Sequence, residues 1–581
     1  MRLAPLALIL ALGATPALAD DAALGKLIAD YELYSLSQNP IEAGQQGDRA
    51  ALSRLPDNSP GAEAARTTAL KDYAARVAAI DPAGLSDEGR TNREFLTWTV
   101  GRQLQSLAFD EARMPFSSDG GFHWTLGYLA SSTPMRSVAD ARAWIDRLNA
   151  APVYYATEIA NARRGAKSGF TQPRGTVEQV IARAREQAAA PVESDPLLAP
   201  IDRLPASVPL ADRQALRAEA LAAVRDKVRP AQAQFVDFLQ NEYLPKARKS
   251  LAARSLPDGA RYYAWLVSDH TTTQLTPDQI HQNGLAEVAR IRKEMDGVIA
   301  ETGFTGDFAA FQAHLRSDPQ FYATSRQALL EKASEIAKRI DDQLPAWFGT
   351  LPRLTYGVRP VPADIEKTYT TGRYFPGNPK LGVAGGYMVN TYDLPQRPLY
   401  ELPALTLHEA VPGHHLQIAL GQEAADAPYF RREANVTAFT EGWGLYAEKL
   451  GGEMGIYRNA YERFGRLSYE MWRACRLVAD TGLHWKGWSL DQARECFTKN
   501  SALSPLNIEV ELARYVSWPG QALAYKTGEM KIVATRENAK ARLGEKFDIR
   551  RFHDAMLLAG PMPLDMLERR MDAWIAAEKA R

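Results

Sequence analysis

Apolar residues recur at helical spacing through much of the chain. Leu329, Ala333, Ile336, Ile340 and Leu344 step by four, three, four and four, while Glu331, Lys332, Glu335, Lys338 and Arg339 fall mostly on the other side. That is the period of an amphipathic helix. Looser versions run through Ala139–Arg164 and Ala211–Val228, and much of the Ala-, Arg-, Glu- and Leu-rich first half reads as helix. Pro-rich segments at Ala190–Pro209 and Leu351–Pro362 read as loops. Strand signals are few. In the clearest, Val383–Tyr392, Tyr387, Val389 and Thr391 alternate with Met388, Asn390 and Tyr392. A helix is predicted to start near Pro398–Pro403 and to run to about Gly421. The pattern predicts a mainly α fold with a small β-sheet beside one helix. It divides into a helical region over 20–350 and a region over 351–581 that holds the strand and the chemistry below. No fixed-period repeat or low-complexity tract is present.

Charge narrows the partners. Sixty-nine Lys+Arg balance sixty-nine Asp+Glu, a net charge of 69 − 69 = 0. A chain without a basic surplus is not expected to bind nucleic acid. Hydrophobic residues at 46% and charged residues at 24% are globular values, which excludes disorder and fibrous repeats.

The first nineteen residues read as a secretory leader. Arg2 is a short basic start, Leu6 to Leu12 an apolar core, and Ala17-Leu18-Ala19 a cleavage site, leaving 581 − 19 = 562 residues from Asp20. No cysteine near that site suggests a lipid anchor. No later stretch reaches the roughly 20 unbroken apolar residues of a membrane span. The expectation is export across the inner membrane, to the periplasm in a Gram-negative host. Cys475 and Cys496 are the two cysteines. They read first as buried, unpaired thiols, with a disulfide as the alternative that an oxidising compartment permits. The pattern does not fix an oligomeric state.

Three of the nine histidines fall within eight residues, in His408-Glu409-Ala410-Val411-Pro412-Gly413-His414-His415. A His-Glu pair with a second His one turn on is the arrangement of zinc peptidases. Two imidazoles on one helical face grip the metal, and the Glu activates water. Here Pro412 stands at the fifth position, so H-E-x-x-H is broken. On an ideal helix His414 faces nearly the opposite way from His408, and His415 lies about 10.5 Å along the axis. Pro412-Gly413 gives a reason for the helix to be distorted. If two residues bulge out, His414 becomes the second ligand; if three, His415. His414 is favoured, with His415 as the alternative or as a neighbouring donor. Glu441, 441 − 414 = 27 residues on in Thr440-Glu441-Gly442-Trp443-Gly444, is the candidate third ligand. Gly442 and Gly444 make sense if helices approach closely there. Glu448, seven residues later on the same face, is the runner-up or a supporting partner.

Weaker candidates lie nearby. Arg476, Asp480 and His484 are spaced to share a helix face, so Asp480 is a candidate to orient His484. Tyr515 and Tyr525 are candidate donors to an oxyanion, and Arg514 and Lys526 candidate holders of a substrate carboxylate. The alternating strand, with Tyr387 and Asn390, is a candidate to pair its edge with an extended peptide.

The blocks LHEAVPGHHLQ, TEGWGLYAE, DTGLHWKGWS and RYVSWPGQALAYKTG resemble the bacterial family called domain of unknown function 885, over nearly the whole chain after the leader. That family looks like a distant relative of the glu-zincin metallopeptidases, with the helical fold of the oligopeptidase and angiotensin-converting-enzyme type. The resemblance implies a Zn²⁺ metallopeptidase acting on peptides, and it adds weight to His484, Tyr515 and Tyr525. The rival expectations are a zinc hydrolase of a non-peptide amide or ester, and an inactive exported peptide-binding protein.

Overall fold

The computed structural model describes residues 19–581 except 119, 364, 380, 381, 425 and 426. The expected leader lies outside the described residues, apart from Ala19. The fold is mainly α with one small sheet. Among the described residues no helix is long and apolar enough to cross a membrane.

The amphipathic segment forms the helix Arg326–Trp347, and Leu329, Ala333, Ile336, Ile340 and Leu344 are all buried. The looser patterns are also helical, but each is interrupted. Ala139–Arg164 divides into Val138–Asn149 and Ala151–Ser168, and Leu210–Ala223 passes into a wider π turn at Val224–Val228. Residues between Phe116 and Ala247 build their own apolar core. A second and larger core runs from Ile291 to Ile575, through position 350, and also takes in Phe95. Helices ahead of that position therefore pack with those that carry the chemistry.

The sheet has three strands: β1 (Tyr356–Pro360), β2 (Gly372–Phe375) and β3 (Gly385–Val389). Their order is β1-β3-β2. β3 pairs parallel to β1, Val358 opposite Tyr387, and antiparallel to β2, Tyr374 opposite Tyr387. The predicted strand is thus the centre of the sheet, with no edge left for a peptide; the outer edges belong to β1 and β2. The segment read as a loop over Leu351–Pro362 contains β1. Both missed strands are four or five residues long and carry Pro360 or Gly372, which weaken the strand signal.

The helix predicted as continuous to Gly421 is two helices, Leu402–Glu409 and His414–Glu423. Cys475 and Cys496 form a disulfide between the helices Ala460–Thr481 and Leu490–Asn500, which corrects the reading of two unpaired thiols.

Candidate metal centre

The break between the two helices decides which histidine faces His408. In an unbroken helix the Leu407 carbonyl takes the amide of residue 411. Here it takes the amide of Gly413, at 3.0 Å. Gly413 therefore stands where residue 411 would, and His414 where residue 412 would, the fifth position of the motif. Only a glycine fits at 413, since a Cβ there would lie 2.0 Å from the His408 carbonyl oxygen. Trp443 fixes the bulge from the facing helix, its indole donating to the Pro412 carbonyl at 2.8 Å.

That facing helix, Thr437–Glu453, grips His408 along one face at spacings of three and four. The Glu441 carboxylate lies 3.3 Å from its Nε2, and Glu448 accepts from Nδ1 at 2.8 Å. Between them Gly444 lies under the ring, where a Cβ would come within 2.7 Å of it. Glu448 is in turn held by Arg473 at 3.3 Å. Gly442 faces away, onto Gly528 of the helix Ala524–Leu543, where a Cβ would again collide with backbone.

His414 Nε2 also lies 3.3 Å from the Glu441 carboxylate. The ligand atoms of His408, His414 and Glu441 all fall within 4.8 Å of one another. Zinc bonds of about 2.0–2.1 Å place tetrahedral ligand atoms roughly 3.3–3.4 Å apart, the distance of Glu441 from each imidazole nitrogen. The electrostatics agree. Burial opposes a charge on His408, yet Glu441 and Glu448 outweigh it and raise its pKa to about 10. Burial also disfavours charge on Glu441, but the two imidazoles hold its pKa well below the usual carboxylate range. The cluster stabilises positive charge between the imidazoles, as a proton or as a metal ion. With Nδ1 of His408 committed to Glu448, its Nε2 is the nitrogen presented to Glu441.

Glu409 is buried beside the cluster and accepts the amide of Tyr374, on the outer edge of β2, at 2.7 Å. His415 points elsewhere. Its Nδ1 meets the Tyr374 hydroxyl at 2.9 Å, its ring lies 4.5 Å from that of Tyr356, and burial lowers its pKa to about 4. Of the downstream candidates, Tyr525 comes nearest. Its ring lies face-on to that of His408 at 6.4 Å, and its hydroxyl takes an N–H of Arg514 at 3.1 Å.

The other candidates are placed in closed structural networks. His484 accepts the Ala253 amide on Nδ1 at 3.1 Å and donates from Nε2 to the Tyr515 carbonyl at 2.8 Å; burial drives its pKa to about 3. Both nitrogens are used, so it has no proton to exchange. Asp480 does not orient it: that carboxylate accepts from the Tyr263 hydroxyl at 2.6 Å and from the Gly520 amide. The Tyr515 hydroxyl accepts from Arg476 at 2.9 Å and from Trp472 at 3.1 Å, and Arg476 is paired with Glu511. The Lys526 ammonium spends its three protons on Glu287, Glu470 and Glu529, at 2.9, 2.8 and 2.7 Å. Tyr387 faces the core, bonded to Thr406. Asn390 is fully buried and bonds backbone carbonyls.

A residue that the sequence did not single out lies beside β2, where the Arg373 guanidinium stands 5.4 Å from the centre of the Tyr369 ring. The Tyr369 hydroxyl is buried without a hydrogen-bond partner, within electrostatic reach of Glu409, Arg373, Arg514 and Tyr128. A lone tyrosine in a loop carries no motif to find it by.

The model of a bacterial family of unknown function, DUF885, matches residues 40–571. No curated protein matches the chain. Two solved structures, each described as a "putative lipoprotein", are similar to it. One, from Colwellia psychrerythraea, is 28% identical with a TM-score of 0.91 over 97% of this chain and 100% of its own. The other, of unknown function from Shewanella oneidensis, is 19% identical with a TM-score of 0.72 over 96% and 100%.

Proposed function

The chain belongs to the bacterial family of unknown function DUF885, and from that membership and the geometry above we propose that it is an exported zinc-dependent peptidase acting on short or unfolded peptides. One observation carries the reading: a two-imidazole, one-carboxylate donor set stands beside a separate carboxylate, Glu409, on the residue that follows the first ligand. A purely structural metal site has no need of that second carboxylate. The donor set is the kind found in hydrolytic zinc sites, where three protein ligands leave one position open. Zinc held by His408, His414 and Glu441 would supply a Lewis acid toward water and the substrate carbonyl.

The chain's own groups do the rest. Tyr374 anchors one oxygen of Glu409; the other takes a proton from the attacking water and returns it to the leaving amine. Tyr525, beside His408, donates to the developing oxyanion. β2 pairs on one side only, and beyond the Tyr374 amide that Glu409 takes, its outer edge is where an extended peptide would hydrogen-bond. The leader sequence and the description of the two structural neighbours both favour export.

Elemental analysis of the purified protein should find close to one zinc per chain. Glu409→Gln should keep that zinc and lose about 10²–10⁴ in turnover of a peptide library. The reading is sunk by a protein that takes up no metal when zinc is supplied, or by wild-type turnover in Glu409→Gln. Turnover of simple esters with no peptide cleaved would make it a non-peptide hydrolase.

A further inference from the structure

Tyr369 has the features of a group waiting for a partner. Its hydroxyl is sequestered from solvent and bonded to nothing in the chain. The groups around it come from four separate elements: Glu409 from the His408 helix, Arg373 from β2, Arg514 from the helix Pro505–Ser517, and Tyr128 from the helix Thr125–Ser132. Its surroundings therefore draw on the N-terminal helices, the sheet edge and the helix that carries Glu409. A buried hydroxyl without a partner destabilises the fold, so its placement there calls for a compensating role.

The backbone beneath it is held in place. Asn390 donates to the carbonyls of Glu366, Tyr369 and Thr370 at 2.8, 3.1 and 3.1 Å. Its own amide oxygen accepts from Tyr392 at 3.0 Å. Arg326 clamps the Glu366 carboxylate with two bonds, at 3.0 and 2.9 Å. The Arg373 guanidinium lies over the Tyr369 ring, 5.4 Å from its centre. Three independent contacts thus fix the loop that carries that unpartnered hydroxyl. Burial raises the phenol's pKa; Arg373 works against the rise and Glu409 adds to it. The group is a neutral donor at ordinary pH.

We propose that the Tyr369 hydroxyl donates a hydrogen bond to the bound substrate at the reacting carbonyl, across from Glu409, and that Asn390 is the residue that positions it. The inference rests on the peptidase reading and adds a second donor to Tyr525. No proton changes hands: the O–H stays on Tyr369, and its bond strengthens as the carbonyl oxygen gains charge.

The test is Tyr369→Phe in the full chain, which keeps the ring and removes the donor. Zinc content should stay at the wild-type value and the thermal midpoint should hold or rise, since an unpartnered buried hydroxyl is removed, while kcat falls by about 10²-fold with little change in KM. A phosphinic peptide, a tetrahedral mimic, should lose affinity by a similar factor in calorimetry, whereas a cleaved product peptide should bind as before. Asn390→Ala should lower kcat in the wild-type background and add nothing in the Tyr369→Phe background. Wild-type kcat in Tyr369→Phe, or an Asn390→Ala loss of the same size in both backgrounds, overturns the proposal. A wild-type protein that cleaves no peptide and does not bind the phosphinic peptide sinks the peptidase reading. Wild-type turnover with Tyr369→Phe unaffected sinks this inference alone.

Discussion

Two buried polar clusters share the helices around position 470, and they are finished differently. Around Lys526 three carboxylates meet one ammonium, and each of its protons has an acceptor. Around Glu441 two imidazoles and a carboxylate converge at 3.3 Å, long for hydrogen bonds, and a further carboxylate and an unbonded phenol stand beside them. Both clusters are charged, largely buried and rich in ionisable groups, so neither burial nor composition separates them. Saturation does. A cluster whose donors and acceptors cancel is a brace, whereas one that still asks for a cation and a donor's partner is a place for chemistry.

The contrast makes predictions that fall on opposite readouts. The largest is at the brace. Lys526→Met leaves Glu470 and Glu529 buried without their ammonium and should cost about 3–5 kcal/mol, read by denaturant unfolding. Turnover per folded molecule should be unchanged; a large loss of kcat would mean the two clusters are one. Next, Tyr515→Phe strands buried N–H groups of Arg476 and Trp472, for about 1–3 kcal/mol of stability. Its kcat should hold, the reverse of Tyr369→Phe. At the candidate metal cluster, Glu448→Gln should weaken zinc about 10–100-fold in a chelator competition, and should also lower the stability of the metal-free protein, because buried Arg473 loses its carboxylate. His415→Ala should leave zinc bound, and His414→Ala should not; the opposite outcome would reassign the ligand. The last effect is one of slope. Burial raises the pKa of Asp480 to about 7, against bonds from Tyr263 and Gly520 that lower it. The fold thus binds the proton more tightly than the unfolded chain does. The contribution to stability is full in acid and is lost as pH rises toward about 7. Asp480→Asn should flatten that decline in a pH series of unfolding curves.

The sequence pointed to the cluster of His408, His414 and Glu441 because its residues are rare, close together and chemically specific. Even the break at Pro412-Gly413 pointed to a two-residue bulge, and the bond from Gly413 to Leu407 shows that bulge. The helices were legible wherever one face was apolar, as at Leu329–Leu344. What spacing does not encode is the identity of a partner far along the chain. Asp480 sits four residues before His484, yet Tyr263, 217 residues away, takes its oxygen. Lys526 looked like a substrate ligand because its three carboxylates lie on other turns and other helices. The order of the strands was hidden for the same reason, since β1 joins the sheet only by pairing beyond β2. Tyr369 left no trace at all, because its role comes from the groups that fail to bond it.

The helical turn Glu441-Gly442-Trp443-Gly444 addresses a different neighbour with every residue: the cluster, the Gly528 backbone, the Pro412 carbonyl and the His408 ring. Four consecutive residues cover all sides of a helix. Read as an inheritance constraint, the turn has no outward-facing position on which mutations can accumulate without effect. A single inserted or deleted residue upstream in the same helix would rotate the turn by about 100° and misaddress all four contacts at once. Length changes in descendants of this chain should therefore be confined to the loops on either side of Thr437–Glu453, and this tetrapeptide should drift more slowly than the histidines it serves.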